Sequence, residues 1–259
     1  MQTAKIIDHI VQWLKSYLTK VNLNGFVIGV SGGIDSAVTS TLCAKTGSPV
    51  ILLNMPIHQA AHQISLSEKH IHRLEKTFNN VNGVKIELTS AFEALKKALP
   101  SDIQDELTMA NTRARLRMLT LYAVASNNKM LVTGTGNKVE DFGVGFFTKY
   151  GDGGVDISPI ADLMKSEVYA LGKELDINKD ILSAPPTDGL WNDSRSDESQ
   201  IGATYAELEW AMKFDGRANP EDQLDERQKE VLSIYKNFHK NNRHKMDPIP
   251  ICNIPESYR

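Results

Sequence analysis

The sequence has little of what marks secreted, membrane-spanning or nucleic-acid-coating proteins. Its 259 residues include two cysteines, Cys43 and Cys252, whose separation gives neither a disulfide framework nor the spacing of a zinc site. No apolar run approaches the roughly 20 residues that a bilayer span requires. The 29 Lys and Arg residues are balanced by 32 Asp and Glu residues, so bulk charge favours neither a nucleic-acid nor a membrane partner. We therefore expect a cytoplasmic protein whose ligands are small molecules.

Apolar segments alternate between strand-like and helix-like spacing along the chain. Short β-prone runs predict strands at 26–30, 49–54, 84–89 and 130–133. Helical spacing predicts helices at 3–20, 37–45, 64–78, 92–99, 103–126 and 163–175, and again from residue 202. Strands that alternate with helices form a parallel sheet with both faces covered, and such sheets bind ligands at the carboxyl ends of their strands. We predict an α/β fold with a doubly wound parallel sheet flanked by helices.

Residues 183–199 interrupt this alternation. The segment is rich in Pro, Gly, Ser and Asp and contains Trp191. Such a composition favours irregular structure. We predict one domain over residues 1–259 with a mobile loop at about 183–199, and a solvated linker is the alternative interpretation of this segment.

The most specific motif follows the first predicted strand: Gly29-Val30-Ser31-Gly32-Gly33-Ile34-Asp35-Ser36. Two consecutive glycines let the backbone approach a ligand closely, and the free amides at the start of the next helix attract an anion. The motif lacks the Gly-Lys-Ser/Thr of a Walker loop, but it still predicts a phosphate cradle. Asp35 would repel phosphate unless a cation lay between them, so we interpret it as a Mg²⁺ ligand, with a helix-capping aspartate as the alternative.

Three later segments carry further candidate groups. Thr133–Glu140 follows the fourth predicted strand, and its Glu140 could complete the metal site, although a structural turn is the better interpretation of the segment taken by itself. Lys165 lies in the first turn of a helix for which Asp162 is the predicted N-cap, and its ammonium would be available to phosphate. Residues 145–156 combine glycines with aromatic side chains that can stack on a pyridine ring.

Two of these motifs resemble those of a known family. Ser31–Ser36 resembles the phosphate loop of the N-type ATP pyrophosphatases, and Gly-Phe-Phe-Thr-Lys-Tyr-Gly-Asp-Gly-Gly-x-Asp at 145–156 resembles the signature of the ammonia-dependent NAD synthetases. The resemblance covers nearly the whole chain. It implies an adenine nucleotide α-hydrolase-like, Rossmann-like fold, a homodimer, and a ligase with Mg²⁺ as cofactor and ATP as co-substrate. Such a ligase amidates deamido-NAD with ammonia through an adenylated nicotinate carboxylate and yields NAD, AMP and pyrophosphate.

The resemblance also implies roles for particular residues. Those at the ATP site are Gly29, Val30, Ser31, Gly32, Gly33, Ile34, Asp35, Ser36, Thr135, Lys165 and Thr187, of which Asp35, Lys165 and Thr187 are expected to be catalytic. Asp35 and Glu140 would hold Mg²⁺. Those at the deamido-NAD site are Arg115, Lys149, Asp156, His244 and Lys245, the last two being a bare basic tail in the alternative view.

The sequence shows one departure from the family's pattern, and the position of Thr187 leads to one expectation about the loop 183–199. The spacing from Glu140 to Gly145 is one residue longer than in the family's pattern. Because Thr187 lies near the base of the loop 183–199, we expect that loop to close over ATP.

Other functions stay open from the sequence. Another ATP pyrophosphatase, such as a GMP synthetase subunit or a tRNA-modifying enzyme, would share Ser31–Ser36 and Lys165 but would leave residues 145–156 unexplained. A nucleotide-binding regulator would need neither Lys165 nor a metal pair. Glutamine-dependent relatives carry an additional amidase domain, for which we expect no room here.

Two weaker features complete the sequence-based hypotheses. His58, His62, His70 and His72 could bind zinc, although surface or ATP-side histidines explain them better. Met55-Pro56 follows the second predicted strand at the height where an adenine could lie.

Overall fold

Four parallel strands form the central sheet of the computed structural model, which describes residues 1–59, 61–187, 196–215 and 223–259, with only the backbone of 61–63. They are β1 Phe26–Gly29, β2 Val50–Asn54, β3 Val81–Lys85 and β4 Leu131–Val132. Their order is β3-β2-β1-β4, and Phe26 is in register with Val50 on one side and with Leu131 on the other. The strand order therefore reverses between β1 and β4, which is where doubly wound sheets bind their ligands.

Helices surround this sheet. They are α1 Thr3–Val21, α2 Ile34–Lys45, α3 Ala61–Thr77, α4 Thr89–Ala98, α5 Glu106–Asn128, α6 Lys165–Glu174, α7 Lys179–Ser183, α8 Asp197–Ile201, α9 Tyr205–Asp215 and α10 Glu226–Met246. Short 3₁₀ turns lie at Ser101–Ile103 and Glu256–Tyr258, and a π-helical turn at Val139–Val144. Within the described ranges, no helix has both the length and the apolar character to cross a bilayer.

Alternate residues of β1 enter two different cores, as the pleat of a strand requires. Phe26 and Ile28 are fully buried in a cluster to which α1, α2, α3, α6 and α7 contribute. Val27 packs on the opposite face in a cluster with side chains of α4 and α5. The prediction of a parallel sheet flanked by helices is confirmed. A third cluster joins α9, α10 and the π-helical turn beside the sheet.

The third strand was predicted three residues too late. β3 occupies Val81–Lys85 at the edge of the sheet, where its side chains are half-buried or exposed and give little apolar signal. The apolar residues Ile86 and Leu88 follow the strand, and their amides still donate to the carbonyls of Asn54 and Pro56. The sequence signal therefore marked the buried continuation of the strand rather than its paired part.

Two other local predictions also need correction. The cap residue of α6 is Met164, whereas Asp162 forms a 2.8 Å ion pair with Lys138. The loop predicted over 183–199 is helical from Asp197, where α8 begins, and its residues 188–195, including Trp191, lie outside the described ranges.

A buried histidine makes the stability of the fold dependent on pH. His70 is 1% exposed, and its Nε2 lies 2.9 Å from Ser40 Oγ. Burial, with a smaller contribution from Arg73, lowers the pKa of His70 from 6.5 to about 4. The unfolded chain therefore binds this proton more tightly than the folded chain does. The stabilisation is complete above about pH 6.5 and is lost as the pH falls towards 4, which amounts to about 3 kcal/mol.

We expect His70→Gln to flatten the dependence of the free energy of unfolding on pH between 7 and 4.5, as measured by urea denaturation. His72→Gln is the matched control, because His72 lies on the same helix with its side chain exposed. An equal pH slope in wild type and His70→Gln would contradict the assignment.

Candidate active site

The phosphate loop lies between β1 and α2, as the sequence predicted. Gly32 has a φ of 92°, a conformation that favours glycine. The hydroxyl of Ser36 donates to the carbonyl of Gly33 at 3.0 Å, and its oxygen lies 3.2 Å from that of Ser31. Gly33 is the N-cap of α2, and no side chain caps this helix end. The first amides of α2 are therefore open to an anion, and the interpretation of Asp35 as a capping residue is wrong.

Three candidate residues that are distant in sequence meet beside this loop. The ammonium of Lys165 lies 2.6 Å from Asp35 Oδ2 and 2.9 Å from Glu140 Oε1. We call these three residues the acid–lysine cluster. The Lys165 side chain is 4% exposed, and those of Asp35 and Glu140 are 17% and 16% exposed. Lys165 lies in the first turn of α6, as predicted, but its ammonium contacts carboxylates.

The electrostatics of the cluster leave an excess of negative charge. Burial alone would lower the pKa of Lys165, but the charges of Asp35 and Glu140 raise it above its ordinary value. Burial would raise the pKa of Glu140, yet Lys165 and a hydrogen bond from Tyr205 outweigh it and lower that pKa. For Asp35 burial prevails, and its pKa is raised. Two carboxylates thus share one ammonium.

This donor set fits Mg²⁺. The ion prefers near-octahedral oxygen coordination, and proteins usually supply one or two carboxylates while phosphates and water complete the shell. Asp35 and Glu140 converge on a single cation beside the open amides of α2, which is the arrangement that such a shell needs. Across the described ranges, no group of three or more His, Cys, Asp or Glu residues could hold a metal alone.

The histidines singled out as a zinc alternative do not form such a group among the described side chains. His58 Nε2 lies 2.7 Å from Glu93, and His70 is buried against Ser40. The side chain of His62 lies outside the described part of the structure.

Asn137 fixes the geometry of the two acids, a role that the sequence did not reveal. Its side chain is fully buried, and its amide nitrogen donates to Asp35 Oδ1 at 3.0 Å. Its carbonyl oxygen accepts from the backbone amides of Val139 and Glu140. Glu140 belongs to the π-helical turn, which holds more residues per turn than an α-helix and accommodates the longer spacing before Gly145.

Residues of α9 contact the cluster and the residue that follows Lys165. The Tyr205 hydroxyl donates to Glu140 Oε1 at 2.5 Å, and Lys165 Nζ lies 4.6 Å from the centre of the Tyr205 ring. Glu209 is 6% exposed and accepts from the backbone amide and the hydroxyl of Ser166. Tyr205 and Glu209 are four residues apart on a helix, and that spacing of polar groups was the available signal.

A cavity of about 650 Å³ brings together three of the five residues predicted for the dinucleotide. Arg115, Lys149 and Lys245 line it. Arg115 Nε donates to the carbonyl of Lys149 at 3.3 Å, and Lys149 Nζ donates to the carbonyl of His244 at 2.6 Å. The ring of His244 instead lies against the carbonyl of Asn241 on its own helix. We call this space the larger cavity.

Asp156 contacts a residue in the wall of the larger cavity rather than lining it. Its carboxylate accepts from the hydroxyl of Tyr122, which lines the cavity, and from the backbone amide of Val132 at the end of β4. Of the remaining ATP-site candidates, Thr135 follows β4 and is half-buried. Thr187 is the last described residue before the gap at 188–195.

A smaller cavity of about 150 Å³ adjoins the larger one. The two share Gly153, Val155 and Lys245 in their walls. The smaller cavity is also lined by Gly136 and Asp141, which flank the segment from Asn137 to Glu140. A Cβ atom on Gly136 would fall within 2.4 Å of the Asp141 carboxylate, so any larger residue there would displace that carboxylate. The smaller cavity thus lies between the larger cavity and the segment that carries Asn137 and Glu140.

Comparison with known proteins agrees with this geometry. The family model described as NAD synthase matches residues 6–249. The NH(3)-dependent NAD(+) synthetase of Mesoplasma florum is 35% identical over 248 residues, which cover 95% of each chain. An NMN synthetase structure from Francisella tularensis superposes with a TM-score of 0.85 at 34% identity, covering 98% of this chain and 100% of that one. An NH3-dependent NAD synthetase structure from Campylobacter jejuni gives 0.80 at 26% identity, with the same coverage. The chain therefore belongs to the NAD synthase family and is an enzyme, a ligase.

Proposed function

We propose that the enzyme amidates deamido-NAD with ammonia at the expense of ATP, through an adenylated nicotinate carboxylate, and releases AMP and pyrophosphate. The observation that carries this proposal is the arrangement of the site. Open helix amides and the acid–lysine cluster lie at the crevice between β1 and β4, and the smaller cavity, beside the segment that carries Glu140, adjoins a basic cavity of about 650 Å³. A cavity of that size is typical of nucleotide and cofactor sites.

In this proposal ATP binds to the loop Gly29–Ser36. The first amides of α2 and the hydroxyls of Ser31 and Ser36 face its phosphates. Asp35 and Glu140 would hold Mg²⁺, which when bound neutralises phosphate charge. Lys165 supplies a further cation for the charge that develops on the leaving pyrophosphate. Thr135 and Thr187 stay predicted ATP contacts.

The chemistry needs activation because a carboxylate is a poor electrophile. A nicotinate oxygen attacks the α-phosphorus of ATP, the bond to the β-phosphate oxygen breaks, and pyrophosphate leaves. Ammonia then attacks the carbonyl carbon, loses a proton, and displaces AMP. The side chain of Lys165 is 4% exposed, which supports a site that limits the access of water to an acyl adenylate.

The dinucleotide would occupy the two cavities. Arg115, Lys149 and Lys245 provide positive charge for its pyrophosphate bridge. The smaller cavity, with Phe142 and Phe147 in its wall, would take the pyridine ring. Asp156 and His244 stay predicted contacts of this substrate.

A cytoplasmic homodimer forms part of the proposal. Its support is the apolar rim of the larger cavity, where Leu119 and Ile249 are each 66% exposed and Tyr150 is 59% exposed. Exposed apolar side chains that surround a ligand site are typical of a surface that a second subunit covers.

A second candidate substrate is the mononucleotide acid, nicotinic acid mononucleotide. It is favoured by the superposition on the NMN synthetase structure, which has the higher TM-score of the two structures compared. The same site chemistry would amidate either acid, because both present a nicotinate carboxylate. The two differ in the adenylyl half, which only the dinucleotide would place in the larger cavity.

One assay decides between these candidates. Purified enzyme is incubated with ATP, Mg²⁺, ammonium and either acid at equal concentration, and the amide product, AMP and pyrophosphate are quantified. We expect NAD, AMP and pyrophosphate in equal amounts, no product when Mg²⁺ or ammonium is omitted, and a higher kcat/KM for deamido-NAD. A higher kcat/KM for nicotinic acid mononucleotide would identify that acid as the preferred substrate instead. ATP cleavage without amidation of either acid would reject the proposal.

A further inference from the structure

We infer that Tyr205 is a positioning residue that holds Glu140 and Lys165 in register for the Mg-ATP complex. The inference rests on the proposed function for its kinetic consequences, but the contacts themselves belong to the free protein. Tyr205 lies outside every motif that the sequence singled out, and it is one of the few large polar side chains in the core, with 6% of its surface exposed.

A single side chain contacts two members of the acid–lysine cluster. The Tyr205 hydroxyl donates to Glu140 Oε1 at 2.5 Å, the same oxygen that accepts from Lys165 at 2.9 Å. The ring lies 4.6 Å from the Lys165 ammonium, within the range of a cation–π interaction. The hydroxyl therefore fixes the carboxylate from one side while the ring fixes the ammonium from another.

The helix that carries Tyr205 is itself anchored to the start of α6. Tyr205 begins α9, and Glu209 lies one turn later on the same face. The Glu209 carboxylate binds the amide of Ser166 at 2.8 Å and its hydroxyl at 2.7 Å. Tyr205 and Glu209, four residues apart on α9, thus contact Lys165 and Ser166, which are consecutive in α6. This double attachment places the Tyr205 ring relative to the Lys165 ammonium.

Tyr205 is also bound to α8. Its backbone amide donates to Glu198 Oε1 at 2.8 Å, and its hydroxyl oxygen lies 3.3 Å from Asp197 Oδ2. A tyrosine hydroxyl has one hydrogen to donate, and the shorter contact to Glu140 takes it. Asp197 is 6% exposed and brings a further carboxyl group near the cluster. Tyr205 consequently links the residues proposed to hold Mg²⁺ with the short helix that follows the gap at 188–195.

The hydroxyl of Tyr205 orients Glu140, a role separate from the packing of the ring. The ring also belongs to the core cluster formed by α9, α10 and the π-helical turn, and phenylalanine would preserve that packing. Without the hydroxyl, Glu140 keeps Lys165 as its partner but loses the bond that sets its orientation. We expect the change to weaken binding of Mg-ATP and to lower kcat, while the KM for the acid substrate stays unchanged.

The test compares Tyr205→Phe with the matched control Tyr235→Phe. Tyr235 is buried in the same core cluster, 7% exposed, and its ring packs against His239. Calorimetry with Mg-ATP alone should give a Kd at least about ten-fold higher for Tyr205→Phe, and a value within about two-fold of wild type for Tyr235→Phe. Wild-type affinity and kcat in Tyr205→Phe would overturn the inference.

A double-mutant cycle in the nucleotide-free protein separates this inference from the proposed function. Thermal midpoints are measured for wild type, Tyr205→Phe, Glu140→Gln and the double variant. We expect the two shifts to be clearly non-additive, because the residues share a hydrogen bond. Additive shifts would overturn the inference even if the enzyme makes NAD. Non-additive shifts in an enzyme that makes no NAD would reject the proposed reaction and leave the positioning contact established.

Discussion

Replacing Lys165 by Met is expected to lower kcat/KM at least about 100-fold and the free energy of unfolding by about 3–5 kcal/mol. The reason is that one ammonium, 4% exposed, compensates two carboxylates. Methionine preserves most of the side-chain volume but leaves Asp35 and Glu140 facing each other without a cation. Removing one partner of a buried ion pair leaves an uncompensated charge, which is the costly outcome.

Steady-state kinetics and urea denaturation measure the two effects. Lys138→Met is the matched control, because the Lys138 side chain is 38% exposed and its partner Asp162 is 96% exposed. Solvated pairs of this kind contribute little to stability, so we expect near wild-type activity and stability from the control. A Lys165→Met enzyme with wild-type turnover would show that its ammonium has no role in the reaction.

The Asp35→Asn variant is expected to separate activity from stability. We expect kcat/KM to fall about 100-fold or more, because a neutral amide is a poor Mg²⁺ ligand and the charge on the phosphates is then less well neutralised. We expect the free energy of unfolding to stay within about 1 kcal/mol of wild type. Burial raises the pKa of Asp35, so its ionised form costs stability that the isosteric amide does not. Lys165 keeps Glu140 as its counter-ion.

Asp162→Asn is the control for this variant, because it removes an exposed carboxylate near the same segment. Calorimetry should show that Asp35→Asn loses affinity for Mg-ATP while the control retains it. The different effects expected on stability, a loss of about 3–5 kcal/mol for Lys165→Met and little change for Asp35→Asn, distinguish a cluster in which one ammonium serves two carboxylates from a site in which every residue contributes to folding. Equal destabilisation by both changes would contradict this view of the cluster.

Local sequence signals predicted the strands and helices correctly wherever a segment is buried. β1 and β2 and the helices around them match the predicted segments closely, because their residues face cores on both sides of the sheet. β3 was displaced because an edge strand is half-solvated and carries little apolar signal. The phosphate loop could be predicted because its glycines and the helix that follows are both written within a few residues, although α2 begins at Ile34, three residues earlier than predicted.

The candidate residues could be named from the sequence, but only part of their arrangement could. Asp35 and Glu140 were expected to share a cation and Lys165 to contact phosphate, whereas the contact of Lys165 with both carboxylates depends on tertiary packing across 130 positions of the chain. Asn137 and Tyr205 were missed for the same reason, since each acts through a bond to a residue on another element. His244 shows the converse: the motif marks the position, but the ring turns towards its own helix.

The most direct test of the account follows one atom through the reaction. Deamido-NAD labelled with oxygen-18 in the nicotinate carboxylate is converted in the presence of ATP, Mg²⁺ and ammonium, and the AMP released is analysed by mass spectrometry. If the carboxylate attacks the α-phosphorus beside the acid–lysine cluster, each AMP carries one labelled oxygen and the NAD amide keeps the other. Unlabelled AMP, with the label in orthophosphate or pyrophosphate instead, would contradict adenylation at this site.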